Sequence, residues 1–301
     1  MKVLLLTSRA AISLSALLGI SGVALAAGPT ANISDPNSLL GALSVSRGGA
    51  TVASPTLHDA LFQNPAGAAF SDNYAVTLGY LGVGDALTAS IVDNKSGPVG
   101  GGLYYLRRDL KNWVAPAESS IGSYARMEER AGFSLFGKPA PGFGVGVNAK
   151  YSYRRSYDAR YPNGKNWNGD VGAKYIVNDV LSVGLVGQNL LEDLSGMNPK
   201  SLAFGFEYRP RSNFAVSTQL TRFLIPALSP SIGWGLGGEY VFAEGFSVRS
   251  GYRDNSPWNE AFFGLGAGYK VKTFSFDYSA QIPTRGLNSS VLHSFGMTGL
   301  L

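Results

Sequence analysis

From Tyr74 to the last residues, apolar and polar positions alternate with a period of two. Phe143, Val145, Val147, Ala149 and Tyr151 interleave with Gly144, Gly146, Asn148 and Lys150. Leu202, Phe204, Phe206 and Tyr208 do the same with Ala203, Gly205, Glu207 and Arg209, and Phe274, Phe276, Tyr278 and Ala280 with Ser275, Asp277, Ser279 and Gln281. Successive strand residues point to opposite faces, so each stretch presents one apolar and one small or polar face. A soluble sandwich would fill its polar face with Lys, Glu and Thr. Here that face is mostly Gly and Ser with sparse charges, which suits a crowded barrel interior.

The alternation predicts strands at 74–82, 85–92, 98–106, 128–136, 142–152, 169–177, 180–190, 201–208, 213–221, 233–241, 245–252, 261–270, 273–281 and 291–300. That is about fourteen, an even number as in bacterial outer-membrane barrels. Connection lengths alternate too. Asn178-Asp179 and Val271-Lys272 are tight turns, whereas Arg107–Met127 and Tyr153–Asn168 are long; Val83-Gly84 is the one exception. Short periplasmic turns alternating with long outer loops mark a membrane barrel. The expected fold class is all-β, a transmembrane antiparallel β-barrel over 74–301.

What precedes the alternation reads differently. Residues 1–26 have the form of a cleaved secretory signal: Lys2 and Arg9, an apolar run from Ala10 to Val23, then the small-x-small site Ala24-Leu25-Ala26. Removing it lowers the formal charge from +5 to +3, too modest an excess to argue for nucleic acid. Residues 27–73 show no sustained alternation. Asn37–Ser46 suits a short helical turn with Leu39, Leu40 and Leu43 on one face. This segment is expected to fill the barrel as a small plug, with a periplasmic tail as the alternative. Charged residues make up only 15%, against about 25% in soluble domains. Cysteine is absent, which excludes disulfides, thiolate metal sites and cysteine nucleophiles.

One stretch organises this N-terminal segment. Asn64-Pro65 initiates a turn, because Pro65 fixes its own φ and pushes Asn64 out of the helical region. Ala66 follows, and Gly67 offers a left-handed position. Ser46-Arg47-Gly48-Gly49-Ala50-Thr51-Val52-Ala53, Leu57-His58-Asp59-Ala60-Leu61-Phe62 and Asn64-Pro65-Ala66-Gly67 together resemble the N-terminal signature of outer-membrane long-chain fatty-acid transporter (FadL-like) proteins and their PorV-type relatives. The resemblance covers roughly Ser46 to Phe70. It implies a small plug inside a barrel of about fourteen strands in the bacterial outer membrane. It also implies passive transport of hydrophobic compounds such as long-chain fatty acids; the alternative is a PorV-type structural or secretion-associated barrel that binds a partner. The implied partners are outer-membrane lipids, a hydrophobic ligand, and, on the alternative, a secretion-system or surface protein.

Catalytic chemistry finds little footing. His293 and Ser294 are adjacent on a predicted strand and point to opposite faces, so they cannot share a proton. His58 stands beside Asp59, where the carboxylate would merely hold the imidazole. The Gly142-Phe143-Gly144 and Gly264-Leu265-Gly266 pairs lie within strands and are not nucleotide fingerprints. No metal site, cofactor or enzyme activity is expected. The lumen face carries Lys150, Lys174, Glu207, Glu239, Arg249, Lys270 and Asp277, which read first as a structural ion-pair ladder and second as a polar path for a solute. Arg154, Arg155, Arg160 and Lys165, interleaved with Tyr153, Tyr157, Tyr161 and Trp167, suit lipid headgroups better than nucleic-acid bases.

A lateral opening is expected where the third strand begins. Gly97, Pro98, Gly100, Gly101 and Gly102 combine a residue that cannot donate to the ladder with residues that offer no side chain to pack. The resembling transporters release ligand sideways through a kink in their third strand. The competing expectation is that these small residues only make room for the plug.

Overall fold

A computed structural model describes residues 41–55, 57–82, 85–109, 125–156, 163–191, 199–224, 231–242, 245–285 and 290–301. The expected signal, residues 1–26, and the first part of the expected plug, 27–40, lie outside the described residues, as do Tyr157, Arg160 and Tyr161.

The described chain opens with two short helices, α1 (Ala42–Ser46) and α2 (Leu57–Phe62), and a 3-10 turn at Pro65–Phe70. Then come β1 (Tyr74–Leu81), β2 (Ala86–Asp93), β3 (Val99–Asp109), β4 (Ala125–Ala140), β5 (Phe143–Ser156), β6 (Gly164–Asn178) and β7 (Leu181–Gln188). The second half holds β8 (Ser201–Arg211), β9 (Phe214–Phe223), β10 (Ile232–Val241), β11 (Phe246–Asn255), β12 (Glu260–Lys270), β13 (Phe274–Arg285) and β14 (Leu292–Leu300). Each strand pairs antiparallel with its sequence neighbours, and β1 pairs with β14 from Ala75↔Leu300 to Leu81↔Ser294. The sheet is a closed fourteen-strand barrel. Closure leaves no unpaired edge, which is what a sheet in hydrocarbon requires.

Side chains sort by parity. Leu78, Leu87, Leu103, Phe133, Val147, Leu236 and Met297 are large, apolar and exposed on the outer wall. Such a continuous apolar exterior belongs against lipid. Aromatic pairs edge the band: Tyr151–Trp167 and Trp234–Tyr252 on the long-loop side, and Tyr240–Phe242 on the short-turn side. Rings sit well at that height, where one end of the side chain is greasy and the other wet. The inner wall carries buried Thr77, Ser90, Ser134, Asn148, Ser217 and Ser279.

Several strands run past their expected ends, β3 to β6 among them. The stretches Arg107–Asp109, Ala125–Met127, Tyr153–Ser156 and Gly164–Asn168 read from sequence as loop, but here they continue β3 to β6. Their charges caused the misreading. Arg108 and Arg154 occupy inward positions, buried with Glu128 and Arg130 of the expected part of β4, so alternation persists while hydrophobicity does not.

Candidate functional site

Residues 41–55 and 57–70, the described part of the expected plug, pack against the inner wall and are tied to it through Asn64. Its backbone is extended (φ −145°, ψ 99°), as a residue before proline prefers, and its side chain is fully buried. Asn64 Oδ1 accepts from Ala66 N at 3.2 Å, capping the 3-10 turn, while Nδ2 donates to the carbonyls of Val52 (2.8 Å) and Ala173 (3.1 Å). One side chain thus joins the turn, the preceding plug segment and β6. Pro65 heads the turn, where its missing N–H costs nothing. Gly67 departs from expectation: it is not among the positive-φ glycines. A Cβ there would overlap the ring of Pro55, so close approach, not handedness, requires the glycine.

The wall is shaped to the plug in the same way. A Cβ on Gly102 would strike Leu61, on Gly146 Pro65 and Ala66, on Gly172 Asn64, on Gly184 Val52, on Gly237 Arg47 and on Gly264 Val45. Strands β3, β5, β6, β7, β10 and β12 therefore present bare backbone to the plug. On one side an apolar cluster completes the seat, with Leu61, Ala60, Ala68 and Ala69 packed against Val92, Tyr104 and Phe136. Burying these side chains is worth about 25 cal/mol per Å² of apolar surface removed from water.

His58 is held differently from expectation. Asp59 turns away and accepts from Gly41 N (3.0 Å) and Ser44 Oγ (2.6 Å), fastening the two helices together. The imidazole instead meets β2, with Nδ1 2.7 Å from Ser90 Oγ and Nε2 3.2 Å from Thr88 Oγ1. Burial pushes the His58 pKa below its ordinary value, outweighing the upward pull of the Asp59 charge. His293 points outward and lies 2.8 Å from the Tyr278 hydroxyl, whereas Ser294 is buried inward.

The lumen charges divide into two networks. On the short-turn side Arg47 of the plug pairs with Glu207, which also lies 3.3 Å from Arg209; Arg209 is 3.8 Å from Glu239. Arg249 then bridges Glu239 (2.7 Å) and Asp277 (2.6 Å). Towards the long loops Lys150 holds Asp170 at 2.6 Å, and Glu128 is shared by Arg108, Arg130 (2.8 Å) and Arg154 (3.9 Å). Pairing of this kind is what lets charges persist away from water, and it fixes geometry more than it adds stability. Arg154 accordingly serves the lumen rather than lipid headgroups, whereas Trp167 is 66% exposed on the outer face. Arg47, Arg108, Glu128, Arg130 and Asp170 were missed from sequence. The signal was there in the i, i+2 runs Glu128-Arg130 and Asn148-Lys150-Ser152-Arg154.

Lys174 and Lys270 stand apart from both networks. Lys174 Nζ lies 5.0 Å from the Phe70 ring centroid, and Lys270 is exposed at the last position of β12. Both line a cavity of about 380 Å³ on the short-turn side of the plug, together with His58, Glu239, Arg249 and Asp277.

At the expected lateral opening the ladder is regular from Gly101 onward. Gly97 and Pro98 lie in the preceding turn, so the proline withholds no ladder bond. Gly101 and Gly102 pair with Asp93 and Val92 on one side and with Leu135 and Ser134 on the other, without a register shift. Gly102 faces the plug; Gly101 faces outward.

No family model matches the sequence, and no curated protein matches it significantly. The fold is similar to solved hydrocarbon channels. The CymD monoaromatic hydrocarbon channel superposes with a TM-score of 0.66 at 15% identity, covering 87% of this chain and 97% of that one. The Pseudomonas putida toluene transporter TodX gives 0.65 at 11% identity, covering 86% and 96%. The Ralstonia pickettii toluene transporter TbuX gives 0.61 at 13%, covering 87% and 98%. At such identities the likeness is one of fold. It lends no support to the PorV-type alternative or to a secretion partner.

Proposed function

We propose that this chain is a passive outer-membrane channel for hydrophobic compounds, with long-chain fatty acids among its candidate cargoes. The observation that carries the reading is a plug pressed directly onto a glycine-lined bore. A general porin needs an open water column, and a plug pressed onto glycines of β5, β6, β7, β10 and β12 stands in its way. Hydrophobic cargo needs no such column; it needs a dry path and a means of crossing the lipopolysaccharide-facing surface. The neighbours of like fold are, by their descriptions, channels and transporters of aromatic hydrocarbons, which supports the same class of cargo. The Asn64-Pro65-Ala66-Gly67 turn then serves to seat the plug, and residues 27–73 form it in full.

The test is uptake of a radiolabelled long-chain fatty acid and of labelled toluene into cells expressing the chain and into cells carrying an empty vector. Faster uptake of either compound is expected. Equal rates for both, with the barrel present and folded in the outer membrane, would overturn the reading.

A further inference from the structure

We propose that the cavity on the short-turn side of the plug is a binding site for an amphiphilic anion, with Lys174 and Lys270 as its cationic contacts. The inference rests on the channel reading and adds a periplasm-facing holding site to it. Five charged side chains line the cavity: Lys174, Arg249, Lys270, Glu239 and Asp277. Both carboxylates are already engaged, because Arg249 donates from Nε to Glu239 and from Nη1 to Asp277. Arg209 against Glu239 and Arg47 against Glu207 complete the network, so its three arginines match its three carboxylates and Arg249 brings no spare charge to the cavity. Lys174 and Lys270 form no ion pair among the described residues, and the two cations are left over.

Lys174 is the more telling of the two. It is half-buried on β6, and its ammonium rests over Phe70, not on a carboxylate. Its nearest opposing charge, Glu207, is already paired with Arg47 and Arg209. Taking an ammonium partly out of water without a carboxylate of its own is unfavourable, and a ring face offsets only part of that. An anion arriving in the cavity completes the pairing. The rest of the lining says what kind of anion. Leu43, Leu57 and Phe70 of the plug, with Leu300 of β14, give the cavity an apolar side. An apolar wall with a few convergent polar groups is the usual composition of a small-molecule site, and this volume falls within the usual range. A purely inorganic anion would use the lysines and waste the wall; a neutral hydrocarbon would do the reverse. A short carboxylate amphiphile uses both.

The site is tested with the full chain in lipid nanodiscs, measuring equilibrium binding of labelled decanoate and decanol against empty nanodiscs. Wild type is expected to bind decanoate in a salt-sensitive way. Lys174→Gln with Lys270→Gln should weaken decanoate by about tenfold, the loss of one or two charge-assisted contacts, and leave decanol unchanged. Lys174→Arg with Lys270→Arg should retain decanoate. Equal decanoate affinity in wild type and the Gln pair overturns the site, as does salt-independent decanoate binding by wild type alone, which needs no variant to fold. Transport is read separately, as decanol flux into liposomes carrying the protein. Flux with indifferent decanoate binding removes the site and keeps the channel. Lysine-dependent decanoate binding with decanol flux no faster than in protein-free liposomes keeps the site and removes the channel.

Discussion

Asn64 Nδ2 donates to the backbone carbonyl of Ala173 at 3.1 Å, across a sequence separation of 109 residues. The same nitrogen reaches the carbonyl of Val52, so a single amide holds the turn, the rest of the plug and the wall in one geometry.

Asn64→Ala removes these bonds and leaves two carbonyls to find other donors. Each bond is worth about 1 kcal/mol net, and a buried orphan costs about 1–3 kcal/mol more. The plug should loosen while the barrel, held by its own ladder, stays heat-resistant on gels. Limited proteolysis should cut within residues 41–73, and planar-bilayer recordings should show larger hydrophilic leak. Wild-type cleavage and conductance in the variant would show that the plug is seated without this clasp.

Gly101 and Gly102 are neighbours with opposite duties, and substituting each separately sorts the lateral opening from the plug seat. Gly102→Val drives a branched side chain into Leu61 and should destabilise the plug by about 1–3 kcal/mol, as overpacking does. Gly101→Val projects outward towards lipid and should change neither folding nor uptake. Slowed hydrophobic uptake in a stably folded Gly101→Val protein would reinstate an opening at this strand.

His58 gives plug seating a pH dependence whose sign is fixed by burial. Its pKa in the seated plug lies below the ordinary 6.5. Above about 6.5 the imidazole is neutral whether the plug is seated or not, and the stabilisation is complete. As pH falls through that value the unseated plug takes up the proton first, and seating weakens until the depressed pKa is reached. Hydrogen-exchange protection of residues 57–70 should therefore fall on mild acidification, and His58→Gln should flatten the response. A wild-type plug whose protection does not change across this range would contradict the assignment.

Orientation is open to direct labelling. A cysteine at Lys165, exposed on the long-loop side, should react with a membrane-impermeant reagent on intact cells; one at Ser212, in the turn between β8 and β9, should not. Labelling of Ser212 alone would invert the barrel.

Period-two alternation made the barrel legible, because in a closed sheet each side chain faces either lipid or lumen and nothing in between. It carried β7 to β14 to within a few residues of their ends. It failed on the outer ends of β3 to β6, where inward positions hold charges such as Arg108 and Arg154 instead of small residues. A charge in a strand looks like a loop until its partner is known, and those partners lie on neighbouring strands. Contacts of the plug were beyond reach for the same reason. That Asp59 fastens α1 while His58 turns to β2 depends on how two short helices pack, and periodicity carries no information about that.

The glycines that face the plug also decide what happens in its absence. Narrow barrels stay dry by sending their own side chains to the axis. Where this wall meets the plug it has given those side chains up: Gly146, Gly172, Gly184, Gly237 and Gly264 have nothing to send. An emptied barrel cannot refill itself at these places, so losing the plug leaves a hydrated hole. On the channel reading, whatever removes or digests the N-terminal segment opens a water-filled path through the barrel.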